Sequence, residues 1–349
     1  MGNGAPARLA ERLNQFSRPM LSRDAHAMYW MARYVERAEH VARFLLVNST
    51  LLIDVADVAP SLQKQQWLGV LDILRLATPA TVAAMTDPKA KGGSIAQRIA
   101  RFLSFQSDNP SSLISCLSKA RENARAIREV ISAEMWENLN QLYWSIRSDD
   151  AEARFEDQPD DFYRGIMTGS MLFQGLTDQT LAHDQRWLFT QVAKYLERID
   201  VTARVLETKF AILKGAEATL ETALRNIHWM AVLRSCCAIE AYRRNYLGEM
   251  DPLLVTSFLI LQKNFPRSIA FCVERALDAV TRLRQANSSA ASASGKAAPA
   301  ERILGRLSAQ LEYAEPKEIM TEGLGPYLQR VQQQTAEAAL ALQRSYFLA

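Results

Sequence analysis

The stretch RYVERAEHVARFL, Arg33 to Leu45, is nearly restated by KYLERIDVTARVL, Lys194 to Leu206, 161 positions later. Tyr, Glu-Arg, a second acid, Ala-Arg and Leu recur in register. The residues that could do chemistry are Glu36, Arg37, Glu39 and Arg43 in the first copy and Glu197, Arg198, Asp200 and Arg204 in the second. Carboxylates beside guanidiniums suit three kinds of work. One is general acid–base catalysis with a guanidinium clamping a substrate carboxylate. Another is metal binding by carboxylates turned inward between helices. The third is mutual ion pairing with no reaction at all.

Metal binding has the least support. Two-metal carboxylate bundles use Glu-x-x-His on two of their helices, and neither copy has it. His40 follows Glu36 by one turn, but Val201 stands at its place in the second copy. Each acid already has an arginine neighbour, no H-E-x-x-H occurs, and His26, His183 and His228 read as ordinary helical residues. No metal site is expected. Other templates are absent too: there is no G-x-S-x-G elbow and no Walker loop, and the GGS at Gly92 lacks the strand a phosphate loop needs. The pair Arg243 and Arg244, in YRRNY at the end of a long helix, either complements that helix's C-terminus or, with Arg267, binds an anion.

Placed on a helix at 100° per residue, Tyr34, Val35, Ala38, Val41, Ala42 and Leu45 gather as an apolar stripe opposite Glu36. Glu36, Glu39, His40 and Arg43 share the other side, with Arg37 on the border; Glu197, Asp200 and Arg204 repeat this, with Arg198 on the border. A solvated charged face is the ordinary fate of such residues. Glu39–Arg43 and Asp200–Arg204 are i,i+4 pairs in the favourable order, each contributing about 0.2–0.5 kcal/mol when exposed. The repetition points the other way, because water would accept almost any polar residue there. Burial of the two charged faces is therefore expected, either against each other across a pseudo-twofold axis or around a shared cleft.

The elements that must position them are helical. Helical period and helix formers run through nearly every long segment, and no strand alternation occurs, so the chain reads as an all-α multi-helix bundle of roughly ten to twelve helices. Three segments read as loops: 78–94, 148–161 and the Ala/Ser-rich mobile loop 285–300, after which a final helix begins near Tyr327. Residues 1–19 read as a flexible extension without the apolar core of a secretory signal. Two further blocks recur in the same order. Trp67-Leu68-Gly69-Val70-Leu71 matches Trp229-Met230-Ala231-Val232-Leu233, and FLSFQSDNPSSLISCLSKA from Phe102 matches FLILQKNFPRSIAFCVERA from Phe258. A duplicated pair of helical halves follows, about 20–132 and 181–349, joined by a connector at about 133–180. Pro110 and Pro266 read as first helical residues, with Asn109 as an N-cap. Arg267, in place of Ser111, puts a cation at a helix start and calls for a partner anion.

A net charge of +3 on 349 residues argues against a nucleic-acid protein, which needs a concentrated basic face. No apolar run is long enough for a membrane span. Cys116, Cys236, Cys237 and Cys272 lack C-x-x-C spacing and read as free thiols, which suits a cytoplasmic location.

MLSRDAHAMYWMARYVERAEHVAR from Met20, NPSSLISCLSKARENARAIRE from Asn109, MWENLN from Met135, GLTDQTLAHDQRWLF from Gly175, KYLERIDVTAR and FPRSIAFC together resemble the alpha-E family, all-helical proteins named for a Glu-Arg motif. The resemblance runs from about Met20 to the C-terminal helix and makes Glu36-Arg37 and Glu197-Arg198 the signature positions. It implies company with a circularly permuted ATP-grasp amide ligase, often beside a transglutaminase-like protease, in systems that make or attach small peptides. On that footing the chain is expected to be an accessory module that docks to the ligase and holds a peptide or amino-acid substrate. It would have no cofactor of its own, ATP and magnesium belonging to the ligase. The alternatives are a stand-alone enzyme of amide formation or transfer using the Glu-Arg groups, and a scaffold without ligand.

Overall fold

A computed structural model describes residues 20–51, 60–216, 222–247, 250–287 and 297–347. Among them are sixteen helices and no strand. The first eight are α1 (Ser22–Leu51), α2 (Pro60–Ile73), α3 (Pro79–Thr86), α4 (Ile95–Phe105), α5 (Leu113–Ala126), α6 (Ala133–Arg147), α7 (Ala151–Asp157) and α8 (Pro159–Thr180). The remainder are α9 (Gln185–Ala216), α10 (Thr222–Ser235), α11 (Ile239–Tyr246), α12 (Pro252–Leu261), α13 (Ile269–Asn287), α14 (Pro299–Glu312), α15 (Pro316–Glu322) and α16 (Leu324–Tyr346).

The surplus over ten to twelve comes from short helices in segments read as loops. Thr78 caps α3 by accepting from Thr81 N, with Pro79 following it, so a stretch written off as turn makes two turns of helix. Likewise α7 and the start of α8 occupy 148–161, and α14 and α15 precede the last helix, which begins at Leu324. Of the supposed linker 285–300, the first three residues finish α13, the last two begin α14 and Ala298 is the residue before it; 288–296, like the extension 1–19, lies outside the described residues. YRRNY closes the short helix α11 rather than a long one, because Cys237, at φ 54°, ends α10 first. Asn109 is not the N-cap of α5: Ser112 accepts from Ser115 N at 3.2 Å, while Asn109 Oδ1 accepts from Ser111 N in the preceding turn. Ser268 does the same for α13, accepting from Phe271 N at 3.2 Å.

Two long helices, α1 and α9, lie against each other at the centre, each roughly 45 Å long at 1.5 Å per residue. Around α1 pack α5, α8 and α10; around α9 pack α13, α16 and α2. Helix α6 bridges α5 and α8, as α14 bridges α13 and α16. Val35, Ala38, Val41, Ala42 and Leu45 are fully buried as the stripe requires, while Tyr34 is half-buried. The opposite face of α1 is buried as well: Glu36, Glu39 and His40 are each 2 % exposed. From Ala38 to Asn48 the helix is buried on every side, so charges there must find partners inside. The close approach of α2 to α9 rests on Gly69, where a Cβ would lie 2.9 Å from Ile212 Cδ1. No described helix is long and apolar enough to cross a membrane.

Candidate functional site

Where α1 and α9 meet, the two Glu-Arg pairs exchange partners. Arg198 Nε donates to Glu36 Oε1 at 2.6 Å and its Nη2 to Oε2 at 3.2 Å. In return Arg37 Nε donates to Glu197 Oε1 at 2.7 Å and Nη2 to Oε2 at 3.0 Å. Both contacts are two-pronged, the geometry in which a guanidinium binds a carboxylate best. Arg33 adds a third donor to Glu197, Nε to Oε2 at 2.6 Å, and its Nη1 donates to the Tyr29 hydroxyl. Glu36 is completed by Gln174, whose Nε2 donates to Oε2 at 3.2 Å. Burial alone would raise both carboxyls. For Glu36 the charges of Arg198 and Arg267 outweigh it and hold the group down at about 2; Arg37 and Arg33 hold Glu197 well below the usual carboxylate range.

The second acids are also paired, but unequally. Glu39 accepts from Arg43 one turn on, Nε to Oε1 at 2.8 Å, and from Arg267 Nη2 at 2.9 Å to Oε2. Arg267 Nη1 lies 2.6 Å from His40 Nε2 and 3.5 Å from Glu36 Oε1, so the cation ahead of α13 has found its anions. Asp200 accepts from Arg204 Nε at 3.0 Å, yet its extra cation, Arg75, stays 3.6 Å away and more than half exposed. That side opens into a cleft of about 590 Å³ lined by Gln65, Asp72, Arg75, Arg204, Glu207 and Gln332.

Glu36, Glu39 and His40, which share one face of α1, bring three ligand atoms within 4.8 Å of one another. The Arg267 guanidinium sits among those atoms and supplies the positive charge there. Burial, then Arg267, pushes His40 down to about 4, which keeps it neutral. With Nε2 accepting from Arg267, its proton belongs on Nδ1, which is buried without a hydrogen-bond partner among the described residues.

One group escaped sequence reasoning. Farther along the same interface, Lys209 Nζ donates to Gln66 Oε1 and, at 3.5 Å, to Asn48 Oδ1. Gln66 Nε2 meets His228 Nδ1, and His228 Nε2 donates to the Lys209 carbonyl at 2.9 Å. All four are buried, with Lys209 1 % exposed. Among the described residues no carboxylate pairs with Lys209, and burial drives its amine down to about 7 and His228 down to about 3. Asn48 and Lys209 stand 161 positions apart, as Glu36 and Glu197 do; the spacing was a signal, but the residue types differ and no match was visible.

The supposed anion trio does not assemble around free guanidiniums. Arg243 and Arg244 are exposed in the last turn of α11, where Arg243 faces Glu240 at 3.9 Å, whereas Arg267 is buried and bonded to Glu39. Cys116, Cys236, Cys237 and Cys272 are free thiols, all but Cys237 buried.

Residues 20–347 match the family model Alpha-E, described as a predicted alpha-helical domain with a conserved ER motif, that is, Glu-Arg. Uncharacterised proteins of Mycobacterium bovis and of Mycobacterium tuberculosis strain CDC 1551 are each 24 % identical to this chain over 304 residues, covering 84 % of it and 32 % of the relative. One from Mycobacterium tuberculosis strain H37Rv is 23 % identical over the same shares. The chain thus spans about a third of the length of the curated relatives it matches. No solved structure matches it.

Proposed function

The chain belongs to the Alpha-E family, and on that premise we propose that it is a non-catalytic helical module acting with a circularly permuted ATP-grasp amide ligase in the synthesis or attachment of small peptides. The observation that carries this reading is the saturation of the Glu-Arg groups by one another. A general acid or base needs a carboxyl that titrates near the working pH and reaches a substrate. Glu36 is buried, bonded at both oxygens and held at about 2. That favours a structural use of the motif, with binding left to the outer surface. The mycobacterial relatives, about three times longer than the matched region, fit a unit that works beside others. Nucleotide and magnesium would be the ligase's, and a transglutaminase-like protease would be a further member of the set. The internal duplication belongs to the same proposal: the matched packing of α5 and α8 around α1, bridged by α6, and of α13 and α16 around α9, bridged by α14, supports it.

The test is co-purification of the full chain with the ATP-grasp ligase of its own genome, alongside an assay of each protein alone for ATP-dependent amide formation. A complex, with amide formation only when the ligase is present, is expected. Amide formation by this chain alone would overturn the reading, as would failure of the two proteins to associate.

A further inference from the structure

Three helices recur at a fixed interval. Displaced by 165 positions, α6, α7 and α8 fall on α14, α15 and α16, with ends that agree to within one residue. The buried positions agree as well: Phe162, Ile166, Ser170, Phe173 and Thr177 fall on Tyr327, Val331, Thr335, Ala338 and Leu342. One constellation differs. In the later set the Arg330 guanidinium lies 5.6 Å from the centroid of the Tyr327 ring and pairs with Glu322. The corresponding residues of the earlier set are Gly165, Phe162 and Asp157. The ring and the acid are kept and the cation is gone, and Asp157 has no hydrogen bond or ion pair among the described residues. In place of the cation is a cavity of about 650 Å³ between α6, α7 and α8, lined by all three of these residues. A Cβ at Gly165 would meet nothing within 4 Å, so no packing contact calls for glycine there, whereas one at Gly169 would collide with Leu142. Asn138 lines the same cavity. It is 6 % exposed, its Oδ1 is buried without a partner, and its carboxamide makes no hydrogen bond among the described residues. A buried carboxamide left unpaired is costly; the corresponding residue of α14 is Ile303, which has nothing to pair.

We propose that this groove docks an arginine-bearing segment of another polypeptide, whose guanidinium takes the place against Phe162 and Asp157 that Arg330 takes against Tyr327 and Glu322. A guanidinium stacks on a ring and pairs with a carboxylate at once. The charges around it allow this: Arg154 is paired with Asp150 at 2.9 Å, and Asp161 and Arg164, one turn apart on α8, offset each other, which leaves Asp157 unbalanced. The Asn138 carboxamide can turn to offer either its N–H or its C=O, and so fits a peptide group, which offers both. At the far end Leu172, half exposed, gives apolar surface for an aliphatic side chain. From Asp161 to Leu172 the lining of α8 runs about 16 Å, the reach of about five extended residues. The groove does not depend on the ligase reading, since failure of the two proteins to associate would leave it standing.

The test is ligand-observed NMR on the full chain. Two blocked peptides are titrated, acetyl-Arg-Gly-Gly-Gly-Leu-amide and acetyl-Leu-Gly-Gly-Gly-Arg-amide, each beside its citrulline counterpart, which keeps the shape of arginine without the charge. Saturation transfer from the protein to at least one arginine peptide is expected at concentrations up to about 10 mM. Citrulline is expected to weaken binding by about three- to tenfold, the value of one solvent-facing charge pair and ring contact, and Asp157→Asn to remove that difference. Gly165→Arg, where a side chain enters open space, is expected to abolish binding by supplying the cation from the chain itself, while Gly165→Ala keeps it. No transfer to either arginine peptide overturns the proposal, as does equal binding of the citrulline peptides. Binding unchanged in Gly165→Arg overturns it too, since the peptide then lies elsewhere. Circular dichroism checks that the variants fold, and the exposed change Asp157→Asn decides if Gly165→Arg does not.

Discussion

Glu197 holds two guanidiniums, so its removal leaves Arg33 and Arg37 buried without their acid. Glu197→Ala should therefore cost about 3–5 kcal/mol in urea unfolding, and Glu36→Ala a similar amount by stranding Arg198. The pH dependence has two limbs. Both glutamates have folded pKa values below their unfolded ones, so their stabilisation is complete above ~4.3 and is lost as pH falls below that value, for Glu36 toward about 2 and for Glu197 further down. Lys209 acts at the alkaline end. Its folded pKa, lowered from 10.5 to about 7, means that the unfolded chain binds the extra proton between those values, so stability rises with pH across that window and is flat below it. Lys209→Met should abolish that rise, a difference of roughly 3–5 kcal/mol between its ends, read as the urea midpoints of the two proteins at neutral and alkaline pH.

At the scale of elements, the site depends on how closely α2 and α10 seat α9 and α1. Arg75 and Cys237 both take positive φ, 57° and 54°, and both chain turns close with a 2.7 Å bond, Leu76 N to Leu71 O and Ala238 N to Leu233 O. The same turn carries different side chains: an arginine reaching toward Asp200 in one place, a thiol in the other, where Arg267 from the turn before α13 supplies the cation instead. Gly69 should be the sensitive packing position. Gly69→Val should destabilise by about 1–3 kcal/mol through overpacking against Ile212 and Thr208, and Ile212→Ala in the same chain should recover part of the loss, measured by thermal unfolding of the single and double variants. The short helices α3, α7 and α15 were illegible as helices because seven or eight residues show too little period; caps and tertiary contacts decide such segments.

For the whole molecule, the crossed pairs make each central helix the counter-charge of the other. Across the α1–α9 layer, the guanidiniums of Arg33, Arg37, Arg43, Arg198, Arg204 and Arg267 pair with the carboxylates of Glu36, Glu39, Glu197 and Asp200. Neither long helix can keep its charges buried alone. Residues 20–180 and 181–349 expressed separately should therefore lack a cooperative thermal transition, which circular dichroism would show. In the intact chain, amides of α1 and α9 around the Glu-Arg pairs should be the last to exchange with deuterium.

The sequence by itself determined the helical class, the repeated motif and the family, because helical period is local and an identity at fixed spacing survives without any knowledge of contacts. It also determined that Glu39–Arg43 and Asp200–Arg204 pair within a turn, since i,i+4 neighbours on a helix always face each other. It left open whether the charged faces met each other or lined a cleft, and it overlooked the layer of Lys209, Gln66, His228 and Asn48. Only the tertiary structure decided that Glu36 belongs to Arg198 and Glu197 to Arg37. The crossing of α1 and α9 brings together side chains about 160 residues apart, and for buried charges the partner is whichever opposite charge that crossing places within hydrogen-bond reach.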